Sequence, residues 1–386
     1  MPHASKFWHS AWGLVTGTIG FFLAFFLVHL PHGPEHWSSD LQTAWLSDRL
    51  ASQHPRIAIV EITEDTLRDD DYVSPVDRGV LANVVRTLID ADVKVIGLDF
   101  IFDRHTEPVK DAALLAAIKD QRAQIILGAL DEPPSTYGSD FQSKFLADAG
   151  RPVGHLYYAE HQNPLVISDQ VVREMADPKD VLGRKSFTEL LARAGGSYRA
   201  PESLNISWLR PPKNGRQTFL TLSGDDVLGR GLASPLPLKQ MLSDKIVLIG
   251  GNFADRDQHL TPFSVVHGDW YPGIFIHAQI LADMIDPSRQ PIRALGWPLW
   301  LLLIFGAACG GFFTGRSPKL AERRPWVEIG AVIAFIVIGV LAFAVGRFLF
   351  PFVAAMLGWG WGEMAGHWEQ HRRAVSQQTR GSHHAT

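Results

Sequence analysis

Five ionisable residues, Glu61, Arg78, Asp99, Asp257 and His277, stand where an open parallel sheet would gather them. Glu61 falls late in the apolar run RIAIVEIT (56–63), and Asp99 falls late in VKVIGLDFIFD (93–103). Asp257 comes after KIVLIG (245–250), beyond Gly250-Gly251-Asn252 and Asp255, with His259 and Thr261 close behind. Arg78 opens the segment after the first run, and His277 sits within PGIFIHAQILADMI (272–285). Open parallel sheets bind ligands at the carboxyl ends of their strands, so these side chains can converge on one edge. An ionised carboxylate in a covered sheet is costly unless a partner meets it. Two readings stay open. Arg78 and the carboxylates meet a ligand or a metal in a pocket, or Arg78 neutralises Glu61 or Asp99 in an internal ion-pair network.

Other chemistry finds little support. GGNFADRD (250–257) lacks the P-loop lysine and the GxGxxG pattern, and reads as a turn. Asp69-Asp70-Asp71 lacks the glycine and terminal glutamate of a calcium loop, and it reads as solvated, as do His383-His384. No GxSxG or HExxH occurs, and the single cysteine, Cys309, lies in an apolar segment. The net charge of −4, without a basic patch, argues against nucleic acid as a partner. The expectation is no catalytic residue, no cofactor and no resident metal.

The elements that must hold these residues follow from hydrophobic periodicity. RIAIVEIT is a strand. Val80, Leu81, Val84, Val85, Leu88 and Ile89 then recur on a helical period behind Asp77, a credible N-cap. VKVIGLDFIFD is a central strand that carries Gly97 and Asp99, followed by a helix over 110–119 and a strand over 124–130. Strand and helix alternating at these lengths specify an α/β fold, a mostly parallel sheet flanked by helices. Residues 131–203 read as an elaboration, with strands near 154–160 and a helix over 186–194. Segments 204–209 and 217–222 suggest a β-hairpin. A short helix over 234–242, the strand 245–250 and a helix over 273–285 complete the domain.

The chain of 386 residues is 46% hydrophobic, and its apolar stretches collect at the two ends. Residues 12–30, 297–315, 327–345 and 348–366 are expected to form four transmembrane α-helices, with Gly346-Arg347 as a tight hairpin. The first is followed by LPHGPEHW rather than a small-x-small cleavage site, so it reads as an uncleaved anchor. Lys6, the group Arg316, Lys319, Arg323 and Arg324, and the group Arg372, Arg373 and Arg380 orient these spans. By the positive-inside rule, 1–11, 316–326 and 367–386 are cytoplasmic, and 31–296 form an extracytoplasmic domain. In a bacterium the protein would then be a multi-pass protein of the inner membrane, its domain periplasmic or extracellular. Residues 34–50 read as a juxtamembrane amphipathic helix.

RIAIVEITEDTL (56–67), SPVDRGVLANVVRTL (74–88), VKVIGLDFIFD (93–103), DAALLAAI (111–118), DKIVLIGGNFADRDQHLTP (244–262) and PGIFIHAQILADMI (272–285) form an ordered series. In order and spacing the series resembles the CHASE2 family of extracytoplasmic bacterial sensor domains. The resemblance implies a receptor in which an anchor helix, a CHASE2 domain and a membrane bundle drive a cytoplasmic output. Family outputs are typically nucleotide cyclases, histidine kinases or Ser/Thr kinases, and receptors of this architecture often form homodimers. Arg78, Asp99, Asp257 and His277 match recurring polar positions of the family, whereas Thr63 stands where the family often has aspartate. Twenty residues follow Gly366, too few for a kinase or cyclase domain. The expected function is a membrane sensor that detects a small-molecule or envelope signal and passes it in trans to a cyclase or kinase. A scaffold subunit of an envelope complex is the alternative, and a metal-dependent periplasmic enzyme the second.

Overall fold

Apolar runs of five or six residues, rich in isoleucine and valine, can be buried only if a sheet is covered on both faces. A computed structural model, which describes residues 34–69, 76–130, 139–159, 170–177 and 184–382, contains that sheet. The described chain forms two compact units. One comprises 47–161 and 170–291, inside the 31–296 expected from the sequence. The other contains 34–46 and everything from 292 onwards.

Helix α1 (Pro34–Leu46) belongs to the second unit. In the first unit, β1 (Ile57–Ile62), α2 (Arg78–Asp90), β2 (Val95–Asp99), α3 (Pro108–Ile118) and β3 (Gln124–Ala129) follow one another as the sequence indicates. Next come α4 (Ser139–Ala149), β4 (Val153–His155), β5 (Tyr158–Ala159), β6 (Glu174–Met175) and α5 (Phe187–Ala194). Then follow β7 (Leu220–Ser223), α6 (Gly224–Leu228), α7 (Leu238–Leu242) and β8 (Ile246–Gly251). The unit closes with β9 (Gln258–His259), α8 (Ser264–His267), β10 (Tyr271–Pro272) and α9 (Gly273–Ile285).

Six strands pair in the order β4-β3-β2-β8-β1-β7, all parallel. Side chains alternate between faces. Ala58, Val60, Ile96, Leu98, Val247 and Ile249 join α2 and α3 in one core. The intervening residues face α5 and α9. Gly97 belongs to this second set, and a Cβ there would lie 2.8 Å from the Phe187 ring, so the glycine sets how closely α5 approaches.

The hairpin expected from 204–209 and 217–222 is not formed. Leu220–Ser223 instead extends the sheet as the parallel neighbour of β1, with Ala58 opposite Leu220. Segment 204–209 pairs elsewhere: Asn205 bridges Glu174 antiparallel, with Met175 N donating to the Leu204 carbonyl at 2.8 Å and Ile206 N to the Arg173 carbonyl at 2.9 Å, and side chains of α9 satisfy its far end. Leu209 N donates to Gln279 Oε1 at 2.8 Å, Gln279 Nε2 donates back to Leu209 O at 3.1 Å, and Ser207 N donates to Asp283 Oδ2 at 3.2 Å.

Asp77 caps α2 as expected, accepting from Gly79 N at 2.8 Å and Val80 N at 3.2 Å, and Lys110 Nζ donates to it at 2.6 Å. Arg78, the first residue of that helix, corrects the expected pairing with Glu61 or Asp99. It packs on the opposite face of the sheet from Asp99. Its Nη1 donates to Asp111 Oδ1 at 2.6 Å and its Nη2 donates to the Arg104 carbonyl. Its guanidinium also lies 5.6, 5.0 and 5.4 Å from the ring centroids of Phe102, Phe141 and Phe145. The group is only 2% exposed, so aromatic rings and charge-assisted hydrogen bonds replace the water it gives up.

In the second unit, β11 (Arg293–Ala294) precedes α10 (Trp297–Arg316), α11 (Pro318–Ala321) and α12 (Arg324–Gly346). A turn through Arg347, with φ 55°, leads to β12 (Phe348–Leu349) and α13 (Phe352–Ser382). Among the described residues, two helices, α10 and α12, are long and apolar enough to cross a membrane. The expected span 12–30 lies outside the described residues. The expected span 348–366 begins as a strand, β12, paired in parallel with β11, and α13 continues as one helix through most of the expected tail. Helices α10 and α13 meet backbone to backbone. A methyl group on Gly311, Gly315, Gly362 or Gly366 would overlap a carbonyl oxygen of the facing helix, which is the small-residue seam typical of membrane helices. Helix α1 is held to the same unit. Gln42 both donates to and accepts from the Phe350 backbone at 2.9 Å, and Glu35 accepts from Ala354 N at 2.8 Å.

The Arg78 assignment is testable by a double-mutant cycle on thermal unfolding. Arg78→Ala is expected to cost about 3–5 kcal/mol, because it strands the Asp111 carboxylate in a largely buried site. Coupling to Asp111→Asn should reach about 1 kcal/mol or more, while the effects of Arg78→Ala and Asp99→Asn should add within about 0.5 kcal/mol. Strong coupling to Asp99 would refute this placement.

Candidate functional site

The three central strands stand in register, so Glu61, Gly250 and Asp99 form one row across β1, β8 and β2, on the face covered by α9. Gly250 brings that helix down. A Cβ at this position would lie 2.7 Å from the Cβ of Ile274. The chain leaves β8 in a tight loop and reaches Asp257 with φ 54°, a left-handed conformation that aspartate tolerates better than most residues. Gly273 N donates to the Asp257 carbonyl at 3.0 Å. A Cβ on Gly273 would stand 2.7 Å from both Asp257 carboxylate oxygens, so glycine is what lets the carboxylate rest against the first turn of α9. The positive end of the helix dipole favours a negative charge there.

His259, at the end of β9, links two partners through one nitrogen. Its Nε2 is 2.9 Å from Asp257 Oδ1 and 2.5 Å from the Tyr158 hydroxyl. Carrying a proton, Nε2 donates to the carboxylate, and without one it accepts from the phenol. His277, in the second turn of α9, packs its ring 5.6 Å from Tyr158 and 5.6 Å from Phe187. It is 3% exposed, and its Nδ1 has no hydrogen-bond partner among the described residues.

Burial sets the electrostatics. Asp99 is held well above the usual carboxylate range, first by burial and then by the charge of Asp257. Burial also raises Glu61, against a side-chain hydrogen bond from Asn252. His277 is pushed down to about 4 by burial, with Asp257 opposing and His155 and His259 adding to the shift. It is neutral across the physiological range.

Of the five residues singled out in the sequence, Asp99, Asp257 and His277 form one electrostatically linked group with His259. Glu61 shares their sheet edge but turns to Asn252, and Arg78 lies elsewhere. Tyr158 and Phe187 are the residues that sequence reasoning did not select. The only local signal for Tyr158 was the dense VGHLYYAE stretch (153–160) after a short strand. Behind His277, between α5 and α9, is a cavity of about 170 Å³ lined also by His155, Tyr157, Ser186 and Thr188. A second cavity, of about 250 Å³, lies beside Arg78, Phe100 and Arg104. Among the described residues, no group of three or more His, Cys, Asp or Glu side chains is arranged to hold a metal ion.

The Asp99 environment predicts a pH signature. Its folded pKa lies above the unfolded value of 3.8, so the folded state is penalised as pH rises and the carboxyl ionises. Asp99→Asn removes that penalty, and should raise the melting temperature at about pH 8 by more than at about pH 4. His277 acts in the other direction. Its folded pKa of about 4 lies below the reference 6.5, so acid stability is lost over that window in both proteins. Scanning fluorimetry of both proteins across pH decides the matter, and a pH-independent difference would contradict the assignment.

With this geometry established, comparison with protein families gives a match to the CHASE2 domain over residues 17–313. No curated protein and no solved structure matches the chain. The match covers most of the sequence, and the chain belongs to the CHASE2 family of extracytoplasmic sensor domains.

Proposed function

We propose that this protein is an integral membrane sensor, which detects an extracytoplasmic signal at the Asp99–Asp257–His277 edge and passes it in trans to a separate kinase or cyclase. One observation carries the reading. The arginine that would have made this edge a neutral structural network is committed to Asp111 on the other face, at 2.6 Å. The charge of Asp257 is left to add to the cost of ionising Asp99, beside an imidazole nitrogen with no hydrogen-bond partner among the described residues. Groups held in this state suit a site completed by something from outside the chain.

A ligand shifts a conformational equilibrium only by binding two states unequally. The proposed route out of the domain uses its chain connections. Ser47 follows α1 directly, and Pro291 leads straight into β11, and both α1 and β11 are tied to the segment before α13 through Phe350 and through β12. The proposed topology has four spans, with the basic stretch 316–324 and the far end of α13 in the cytoplasm.

Reporter fusions test the topology. Alkaline phosphatase should be active when fused after Pro291 and inactive after Lys319, with a fluorescent protein showing the reverse. The trans step is tested by a photocrosslinker at Lys319 in native membranes. A kinase or nucleotide cyclase should be captured, and Gly362→Leu, which forces α10 and α13 apart, should reduce the adduct. Recovery of only the bare protein at every expression level would defeat the reading.

A further inference from the structure

His277 calls for a polar partner that the described residues do not supply. A neutral imidazole offers one N–H donor and one acceptor nitrogen, and a buried polar group left unsatisfied is costly. The ring lines the cavity between α5 and α9, whose volume of about 170 Å³ is close to the roughly 150 Å³ that admits a benzene molecule. It is smaller than the roughly 300 Å³ at which pockets for drug-sized ligands begin. The occupant is therefore a small molecule with one ring or a short chain.

The cavity wall indicates its charge. Ser186 caps the eight-residue helix α5 and accepts from Glu189 N at 3.1 Å. Its hydroxyl also lies 3.2 Å from that of Thr188, which is itself 2% exposed. One hydroxyl hydrogen closes that pair, and the second has no acceptor among the described residues. Lys185 and Arg184 line the same cavity. Glu189, the acid in the wall, is engaged by Arg193 at 2.8 Å and faces Lys185 at 3.7 Å, so its charge is met by cations. Free donors, a helix N-terminus and cations favour an anion. Met175, Ile280 and Met284 supply an apolar wall.

We infer that this cavity binds a small monocarboxylic acid. Its carboxylate sits among Ser186, Thr188, Lys185 and the His277 ring, and its apolar body lies against Met175, Ile280 and Met284. The inference rests on the sensor reading for its physiological meaning, but binding is measurable without it.

The test is calorimetric titration of the full chain in lipid nanodiscs with benzoate, using benzyl alcohol as the neutral analogue and empty nanodiscs as the blank. Benzoate should saturate a single site per chain and bind at least about tenfold more tightly than benzyl alcohol. His277→Phe and Thr188→Val should each weaken it by about tenfold, and Lys185→Gln, at an exposed position that leaves folding intact, by about threefold. Absence of saturable heat, equal affinity for benzyl alcohol, or full affinity in both Lys185→Gln and Thr188→Val would overturn the inference. Specific benzoate binding that leaves the Lys319 adduct unchanged would uphold the cavity and count against signalling through it. Capture of a signalling partner without benzoate binding would remove the cavity and leave the sensor reading standing.

Discussion

A parallel sheet covered on both faces leaves a polar side chain few places to stand, and the register of β1, β8 and β2 determines which places remain. Rows of aligned residues alternate between the α2–α3 core and the α5–α9 layer. Val60, Ile249 and Leu98 make one row, and Glu61, Gly250 and Asp99 make the next. That second row lies at the carboxyl end of the sheet. A shift of one residue in β2 would turn Asp99 into the apolar core and move Leu98 out of it, at a cost the fold could not meet. Gly250, lying between the two acids, lets Ile274 close on the sheet and so fixes α9. With α9 fixed, Gly273 receives the Asp257 carboxylate and His277 is carried over the α5 side.

The same alternation separates two polar systems that the linear sequence left merged. Around Arg78 every charge is answered by Asp111, the Arg104 carbonyl and three aromatic rings. A fully satisfied buried network of this kind makes a structure rigid. On the other face, burial works against Asp99, and Asp257 adds to the penalty rather than relieving it. A fold with one saturated network and one deficient one has placed its stability in the first, and in the proposed sensor the second is the part that responds.

The fold was legible wherever periodicity carries the information. Strands β1, β3 and β8, the Asp77 cap and the helix Gly273–Ile285 all lie within a residue or two of their expected bounds, because burial on both faces leaves a signature in composition, whereas β2 ends at Asp99, four residues short of the expected Asp103. The hairpin failed because its two segments satisfy their backbones with different neighbours. One pairs with β1, and the other bridges β6 and uses the side chains of Gln279 and Asp283, which no local pattern encodes. The site was half legible. Asp99 and Asp257 could be placed from strand ends, but the face on which Arg78 emerges depends on how α2 rotates over the sheet. Tyr158 reaches His259 across 101 positions of sequence, a contact decided only by tertiary packing.

The unit of long apolar helices would obey a different constraint in the proposed membrane setting. In hydrocarbon, apolar side chains gain little by burying against one another, so close backbone contact matters more. Gly311 and Gly315 on α10 face Gly362 and Gly366 on α13, with backbone carbonyls where side chains would otherwise stand. Such a seam contains few rotamers to rearrange, and sliding it would lift carbonyl oxygens over Cα atoms. In the proposed sensor, α10 and α13 therefore move as one body. The compliant elements are those held by fewer, more exchangeable contacts: the Gln42 clasp on Phe350, the two-residue pairing of β11 with β12, and the Arg347 turn out of α12. These are also the elements next to the points where the chain enters and leaves the sensory domain. A signal from that domain would shift the glycine-sealed pair as a whole against α12, without prying the pair apart.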